Sequence, residues 1–222
     1  MTISTVVLDG FNAERRLGEL AVQESELRDA LLHGYGYAAS CTSHNPRTLP
    51  GTMAWGFTIG ALRDMLVDRG WGMGRFNNFE TVIHPSHSHA MAVTSGNAHA
   101  GNRTATPRTR YRKGETMALA VNGNTQMSFA SLSDHDAFVL DESDPRTMHT
   151  WLLLHYHDRR IEQIRAELSL PDHMDNGWIT GWAERIILGS MDFSTGVAIM
   201  PGDDGDDGCL DAIEIDVTRR VS

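Results

Sequence analysis

Apolar residues recur at helical spacing through the first third of the chain. From Phe11 to His33 the leucines return every three or four positions, which places them on one face of a helix that Gly34 would end. A second run from Thr52 to Arg69 has the same period, with Thr52 as the capping residue and Gly70 as the terminator. The pattern therefore predicts two amino-terminal helices.

After residue 79 the apolar pattern changes to that of strands. Two apolar stretches between Phe79 and Ser95 flank Pro85, which is typical of a hairpin or a broken strand. A short helix is possible over 115–132, and further strands are predicted at 151–157, 164–170, 178–188, 197–200 and 212–217. Few gaps between the later strands could hold a helical crossover, so we expect a mixed or antiparallel sheet. The sequence predicts one α+β domain over 1–222, with two amino-terminal helices packed on a sheet formed mainly by the carboxy-terminal half.

Charge and composition exclude several classes of protein. The 222 residues carry a formal net charge of -10, which argues against attraction of the whole molecule to nucleic acid or anionic lipid. No apolar run approaches the roughly 18 to 20 residues that span a bilayer, and the amino terminus does not resemble a signal peptide. We therefore expect a cytoplasmic protein without a membrane partner. Cys41 and Cys209 are far apart in sequence and are expected to be reduced thiols.

One segment, 96–114, contains basic residues, no acidic residue and little that could be buried. We predict a mobile basic loop here. Its candidate binding residues are Arg103, Arg108, Arg110, Tyr111, Arg112 and Lys113. Such a loop can follow a phosphate backbone, with the tyrosine stacking on a base, or it can contact an acidic protein surface or simply be solvated.

Eleven histidines are many for this length, and four of them form two His-x-His pairs. The pairs are His87 with His89 and His155 with His157. This spacing places two imidazoles on one face of a strand, so neighbouring strands would bring four nitrogens together. His84, His99, Asp158 or Asp136 would then complete a zinc or iron site able to activate water for hydrolysis. The alternative is buried, neutral imidazoles and no cofactor.

Other acidic residues suggest weaker candidates. An aspartate-glycine run could hold calcium, although its spacing does not fit an EF-hand, and a solvated loop or an acidic face that imitates phosphate is the alternative. Its aspartates are Asp203, Asp204, Asp206 and Asp207. Glu167 and Glu184 each lie near an arginine and are either acid-base groups or paired surface charges. The five tryptophans are expected in the core, and the common phosphate-binding, dinucleotide-binding and hydrolase motifs are absent.

Two blocks of sequence carry a resemblance. They are PGTMAWGFTIGALRDMLVDRGW at 50–71 and TWLLLHYHDRRIEQIRAELSLPDHMDNGWITGWAERIIL at 150–188. These blocks resemble uncharacterised accessory proteins of bacterial plasmids, integrative elements and phages, which carry similar PGTxAWG, ELSLP and WxERIIL strings. The resemblance implies a mobile-element setting, in which small acidic proteins often bind and block a host factor, and it implies no catalytic residues.

Three functions are consistent with the sequence. The leading hypothesis is a non-catalytic interaction protein of a mobile genetic element that binds and modulates a host macromolecule, such as a defence factor, through charged surfaces. The first alternative is a metal-dependent hydrolase or nuclease that uses the His-x-His pairs. The second is a nucleic-acid-binding protein that uses the arginine-rich loop.

Overall fold

Four helices and a mixed eight-stranded sheet form the part of the chain that the structure describes. The computed structural model describes residues 5–129 and 144–194. The helices are α1 (Gly10–Glu19), α2 (Glu24–Ala39), α3 (Leu49–Val67) and α4 (Glu115–Phe129). The strands are β1 (Val6–Leu8), β2 (Gly72–Phe76), β3 (Phe79–Ile83), β4 (His89–Ser95), β5 (His149–Asp158), β6 (Gln163–Asp175), β7 (Trp178–Ile187) and β8 (Met191–Asp192). The predicted α+β class is confirmed, and the three longest strands lie in the carboxy-terminal half.

The sheet has the order β1-β7-β6-β5-β4-β3-β2, and β8 also pairs with β6. Strands β1 and β7 are parallel, as are β4 and β5, and the other pairs are antiparallel. The hairpin predicted around Pro85 is present as β3 and β4. The short strands β1 and β2 were not predicted, since three residues at the amino terminus and a glycine-containing stretch give little periodic signal.

The prediction of one helix over 11–33 is wrong, because the chain makes two helices there. Ala21 has a φ of 56°, a left-handed conformation that interrupts the first helix. The second helix then starts at a capping box in which the backbone N–H of Gln23 donates to the carboxylate of Glu26 at 2.7 Å. Gly34 does not end this helix, which continues to Ala39.

The helix predicted over 52–69 is confirmed as α3, with a shifted start. The helix begins at Leu49, and Pro50 occupies its first turn, where a missing N–H has no cost. Thr52 is not the cap, because its hydroxyl lies inside the helix and donates to the carbonyl of Thr48 at 3.1 Å. Gly70 follows the helix with a φ of +84°, as expected of a terminator.

The first face of the sheet is covered by α1, α2 and α3. Leucines from these helices pack on alternate residues of the strands and form the largest buried cluster of the described residues. Leu17, Leu31 and Leu62 are at most 1% exposed, and they pack in one cluster with Trp151 and Leu153 of β5. The helical periodicity of the sequence therefore identified most of this core.

The second face is covered by α4 and by the loop over 96–114. Here Leu152 and Leu154 of β5 pack with Trp182 of β7 and with Met117 of α4. The loop lies on this face too, because the indole N–H of Trp182 donates to the carbonyl of Pro107 at 2.9 Å.

A buried ion pair, which we call the loop clamp, fastens the loop to this face. Glu167 and Arg185 are paired at 2.5 Å, with side chains 0% and 3% exposed. Arg185 also donates to the loop carbonyls of Asn102 and Ala105, each at 2.9 Å, and Glu167 accepts the N–H of Gly101 at 3.0 Å. These contacts favour an ordered path for the loop, whose mobility stays a prediction.

The tryptophans divide into two groups. Trp71, Trp151 and Trp182 are buried as predicted. Trp178 is half-buried, and Trp55 is 37% exposed, so the expectation of a core position is wrong for Trp55. Within the described ranges, the helices are too short or too polar to cross a bilayer.

Candidate functional site

The two His-x-His pairs lie at opposite ends of two neighbouring strands. Strands β4 and β5 do pair, but their register sets His89 opposite His149 and Ser95 opposite His155. Six residues of parallel strand therefore separate His89 from the level of His155, which is about 20 Å. His87 lies outside the strand in the turn, with a φ of 54°. The pairs therefore do not converge on one metal ion.

Of the residues suggested to complete a metal site, His84 lies beside His89, and His99 and Asp158 lie elsewhere. The Nδ1 of His99 contacts the carbonyl of Thr106 within the loop, and Asp158 pairs with Arg165 at 3.4 Å. Asp136 lies outside the described residues, as do Cys209, the aspartate-glycine run and the two last predicted strands. Among the residues that the structure describes, no group of three or more His, Cys, Asp or Glu side chains is arranged to hold a metal.

A different arrangement, the serine-histidine chain, occupies the turn between β3 and β4. The hydroxyl of Ser86 lies 2.8 Å from the Nδ1 of His84 and 2.9 Å from the hydroxyl of Ser88. The hydroxyl of Ser88 in turn lies 2.9 Å from the Nδ1 of His89. The rings of the two histidines are stacked, with centroids 4.6 Å apart. Four polar side chains thus form one connected chain on a short turn.

The partners of His89 fix which nitrogen carries its proton. Its Nε2 lies 3.2 Å from the carbonyl oxygen of Leu20, which can only accept, so Nε2–H is the donor. The Nδ1 is then unprotonated and accepts the hydroxyl proton of Ser88. Burial is the main cause that lowers the pKa of His89 to about 4, so the ring is neutral at pH 7.

The serine-histidine chain lies beside a cleft of about 380 Å³, which we call the histidine cleft. Its wall contains one arginine, Arg16, which donates to Glu184 at 2.7 Å and to Glu19 at 2.9 Å. Its hydrogen bonds to Glu184 and Glu19 raise the pKa of Arg16. Further lining residues are Glu19, Leu20, His84, Ser88, His89, His149, Trp151 and Leu170. The cleft therefore combines a paired arginine and glutamate with neutral imidazoles and an apolar wall.

The other pair, His155 and His157, lies around a buried tyrosine. The hydroxyl of Tyr35 is 2.8 Å from the Nδ1 of His155, and the ring of Tyr35 packs edge-on against both imidazoles. Burial lowers the pKa of His155 to about 4, and the positive charges of Lys113 and Arg110 lower it further. Burial also lowers the pKa of His157. This arrangement agrees with the alternative of buried, neutral imidazoles.

The basic residues of the loop do not form one free stripe. Arg103 pairs with Asp9 at 2.5 Å, and the guanidinium of Arg108 lies over the ring of Trp178 at 4.4 Å. Lys113 is half-buried, and desolvation lowers the pKa of its ammonium to about 8. The adjacent residues Arg110, Tyr111 and Arg112 are exposed. Binding of nucleic acid stays a prediction, now centred on residues 110–112.

An exposed aromatic surface lies on the antiparallel pair α2 and α3. The rings of Tyr37 and Phe57 are stacked face to face, 3.7 Å apart and 4° from parallel, and the ring of His33 packs on their edge. Tyr37 is 43% exposed and Phe57 is 37% exposed. Gly60 lies on the same helix face as Phe57, three positions further along, and Gly56 directly precedes Phe57 and lies one turn from Gly60. We call these five residues the hairpin face.

Several of these residues were missed by sequence reasoning. Ser86 and Ser88 lie in the run HPSHSH, whose alternation of serine and histidine was read only for its metal ligands. Arg16 and His149 reach the histidine cleft from elements distant in sequence, which no local pattern predicts. Tyr37 lies inside α2, beyond the predicted end of the first helix at Gly34.

Comparison with known proteins gives no relative: no protein-family model, no curated protein and no solved structure matches this chain.

Proposed function

We propose that the protein is a protein-binding module, that the hairpin face is its docking surface, and that binding at this face involves no catalysis. The observation that carries this proposal is the exposed Tyr37–Phe57 stack. The setting, a bacterial mobile genetic element whose product modulates a host macromolecule, rests on the resemblance of the two sequence blocks. The partner is a host protein with an apolar surface and an acidic rim.

The Tyr37–Phe57 stack has the aromatic composition that is typical of the core of a protein–protein interface. Isolated exposed apolar side chains are normal on a folded protein and need no explanation. Two stacked rings with a third ring on their edge are a contiguous aromatic surface. Tyrosine and phenylalanine are enriched in interface cores, because large rigid rings bury much area at a low entropic cost. Covering Tyr37 and Phe57 with a partner would remove both from water.

The glycines beside the stack add a second reason. A glycine in a helix interior costs about 1 kcal/mol relative to alanine. At Gly56 and Gly60 an added Cβ would meet no atom within 4 Å, so no contact in the described structure requires a glycine there. A partner that approaches the backbone of α3 closely would require both. The same face thus offers a shallow, smooth surface next to two rings.

Charge indicates the chemistry of the partner. The formal net charge is -10, yet residues 30–63 contain no Asp or Glu. Arg47 and His44 lie in the loop between α2 and α3, at the same end of the hairpin as the stack. An acidic partner would meet little repulsion on this side of the molecule and some attraction from Arg47. The sequence-based hypothesis placed charge at the centre of the contact, and the hairpin face instead places aromatic rings there with charge at the rim.

The test uses matched surface variants as bait in extracts of a bacterial host. The full chain, the double variant Tyr37→Ala with Phe57→Ala, and the control Phe11→Ala are immobilised, and retained proteins are identified and then purified. Phe11 is 79% exposed on α1, outside the hairpin, so the control removes an exposed ring that is not part of the hairpin face. Removal of two central aromatic residues is expected to weaken binding of the purified partner at least about thirtyfold, and the control leaves it unchanged.

The variant Gly56→Ala provides a second test in the same experiment. Gly56→Ala is expected to raise the stability of the free protein and to weaken partner binding, which loss of folding could not explain. A partner that binds all variants equally overturns the proposal. Retention of no acidic host protein also overturns it, as does self-association through this face in light scattering.

A further inference from the structure

We propose that Ser88 is a nucleophile activated by His89 and that the histidine cleft takes a small carboxylic ester. This inference concerns a site on β4, separate from the hairpin face, and it does not depend on the protein-binding proposal.

The first support is the order of the hydrogen bonds. A serine becomes nucleophilic when a neutral base accepts its proton and a third group orients that base. Ser88 donates to the unprotonated Nδ1 of His89 at 2.9 Å, and the Nε2–H of His89 donates to the carbonyl of Leu20 at 3.2 Å. Both contacts lie within or at the limit of the range for a nucleophile, its base and its orienting group.

The second support is the difference in solvent exposure between Ser88 and His89. Ser88 is exposed at the mouth of the cleft, whereas His89 is 6% exposed. The base is therefore shielded from water while the hydroxyl is open to a ligand. A volume of about 380 Å³ is at the lower end of the range for small-molecule sites, which favours a small substrate.

The lining of the cleft favours an uncharged, short acyl group. Leu20, Trp151 and Leu170 provide an apolar wall. Arg16 and Glu19 also line the cleft, but Arg16 is paired with Glu19 and Glu184, so these charges are matched within the protein rather than by a ligand. The lining thus fits an ester with a short, apolar acyl part.

The reaction balances with water as the only co-substrate. The Ser88 oxygen forms a bond to the carbonyl carbon while its proton moves to the Nδ1 of His89. The bond to the alcohol oxygen then breaks, and the imidazolium gives its proton to that oxygen. Water next attacks the acyl-serine and gives a proton to His89, the acyl–serine bond breaks, and Ser88 recovers its proton. An ester and water become an acid and an alcohol.

Ser43, which is exposed in the loop between α2 and α3, provides a control within the same molecule. Ser86 is not used as the control, because its hydroxyl lies 2.8 Å from the Nδ1 of His84. The full chain is treated with a fluorophosphonate, which phosphonylates an activated serine and releases fluoride, and the adduct is mapped by mass spectrometry. General-base activation is worth about 10² to 10⁴, so we expect labelling of Ser88 at least about a hundredfold faster than of Ser43.

Two alanine variants distinguish an activated serine from a merely exposed one. Ser88→Ala is expected to abolish both labelling and the hydrolysis of p-nitrophenyl acetate, whereas Ser43→Ala keeps each rate within about threefold of the unmodified chain, because the Ser88–His89 bond remains. In the unmodified protein the labelling rate should fall as the pH drops toward 4, where His89 takes a proton. Labelling of Ser43 and Ser88 at equal rates, or no adduct at Ser88, overturns the proposal and leaves the protein-binding proposal unaffected.

Discussion

The two faces of the sheet are covered by different means. On the first face, three helices contribute leucines to one continuous apolar cluster. On the second face, a single helix and an irregular loop do the covering, and the buried ion pair of Glu167 and Arg185 holds the loop in place. Apolar packing is spread over many side chains, whereas the loop depends on a few directional contacts. Substitutions in the loop clamp should therefore destabilise the second face more than other substitutions on that face.

The largest expected effect comes from breaking the loop clamp. Arg185→Met leaves the carboxylate of Glu167 buried without a counter-ion, and we expect a loss of about 3 to 5 kcal/mol in the free energy of unfolding, measured in urea at pH 7. The double variant Glu167→Gln with Arg185→Met should lose less, because no uncompensated charge remains. Arg103→Ala is the exposed control and should cost at most about 1 kcal/mol. A loss below 1 kcal/mol in Arg185→Met would contradict the role of the clamp.

Acid should lower the folding stability, because protonation of His155 disrupts the packing on the first face. Its pKa in the folded state is about 4, below the ordinary value of 6.5, so the unfolded chain binds the extra proton between these two pH values. The contribution of neutral His155 is therefore complete above pH 6.5 and is lost as the pH falls toward 4, by about 3 kcal/mol at about 1.4 kcal/mol per pKa unit.

The measurement is the free energy of unfolding at pH 7 and at pH 4.5. His155→Gln keeps a hydrogen-bonding partner for Tyr35 and should reduce the difference between the two pH values. His44→Gln, in the exposed loop between α2 and α3, is the control and should leave the difference as it is. An equal effect of both variants would show that the acid sensitivity arises elsewhere.

The smallest expected effect compares two glycines in α2. A Cβ at Gly34 would lie 2.4 Å from the carbonyl oxygen of Ala54, so Gly34→Ala must push α2 away from α3 at a cost of about 1 to 3 kcal/mol. A Cβ at Gly36 meets no atom within 4 Å, and Gly36→Ala should stabilise the helix by up to about 1 kcal/mol. Thermal unfolding measures both. Equal shifts in the same direction would contradict the close packing of the hairpin.

Sequence periodicity predicted the first face better than the second. The leucine spacing located α1 to α3, because burial on one side of a helix leaves a repeating pattern. It did not locate the break at Ala21, since a left-handed alanine at that point is fixed by a capping box and by packing. The order of the loop over 96–114 depends on Glu167 and Arg185, which are far away in sequence and meet it only in the folded sheet.

The candidate sites were partly visible in the sequence. In the HPSHSH run the imidazole that stacks on His89 is His84, not the predicted His87. The register of β4 against β5, which the sequence does not fix, separates the two His-x-His pairs. The Tyr37–Phe57 stack joins two helices, and its exposure depends on how those helices are rotated against each other. Neither the register nor the rotation has a local signal along the chain.

The pairing of β1 with β7 has a consequence for synthesis on the ribosome. Val6 lies opposite Glu184, so the first strand must wait for a partner that is translated about 180 residues later. At 5 to 20 residues per second, this delay is on the order of 10 to 30 s. During that time α1 to α3 can form from neighbouring sequence, while β1 has no strand to pair with on the nascent chain.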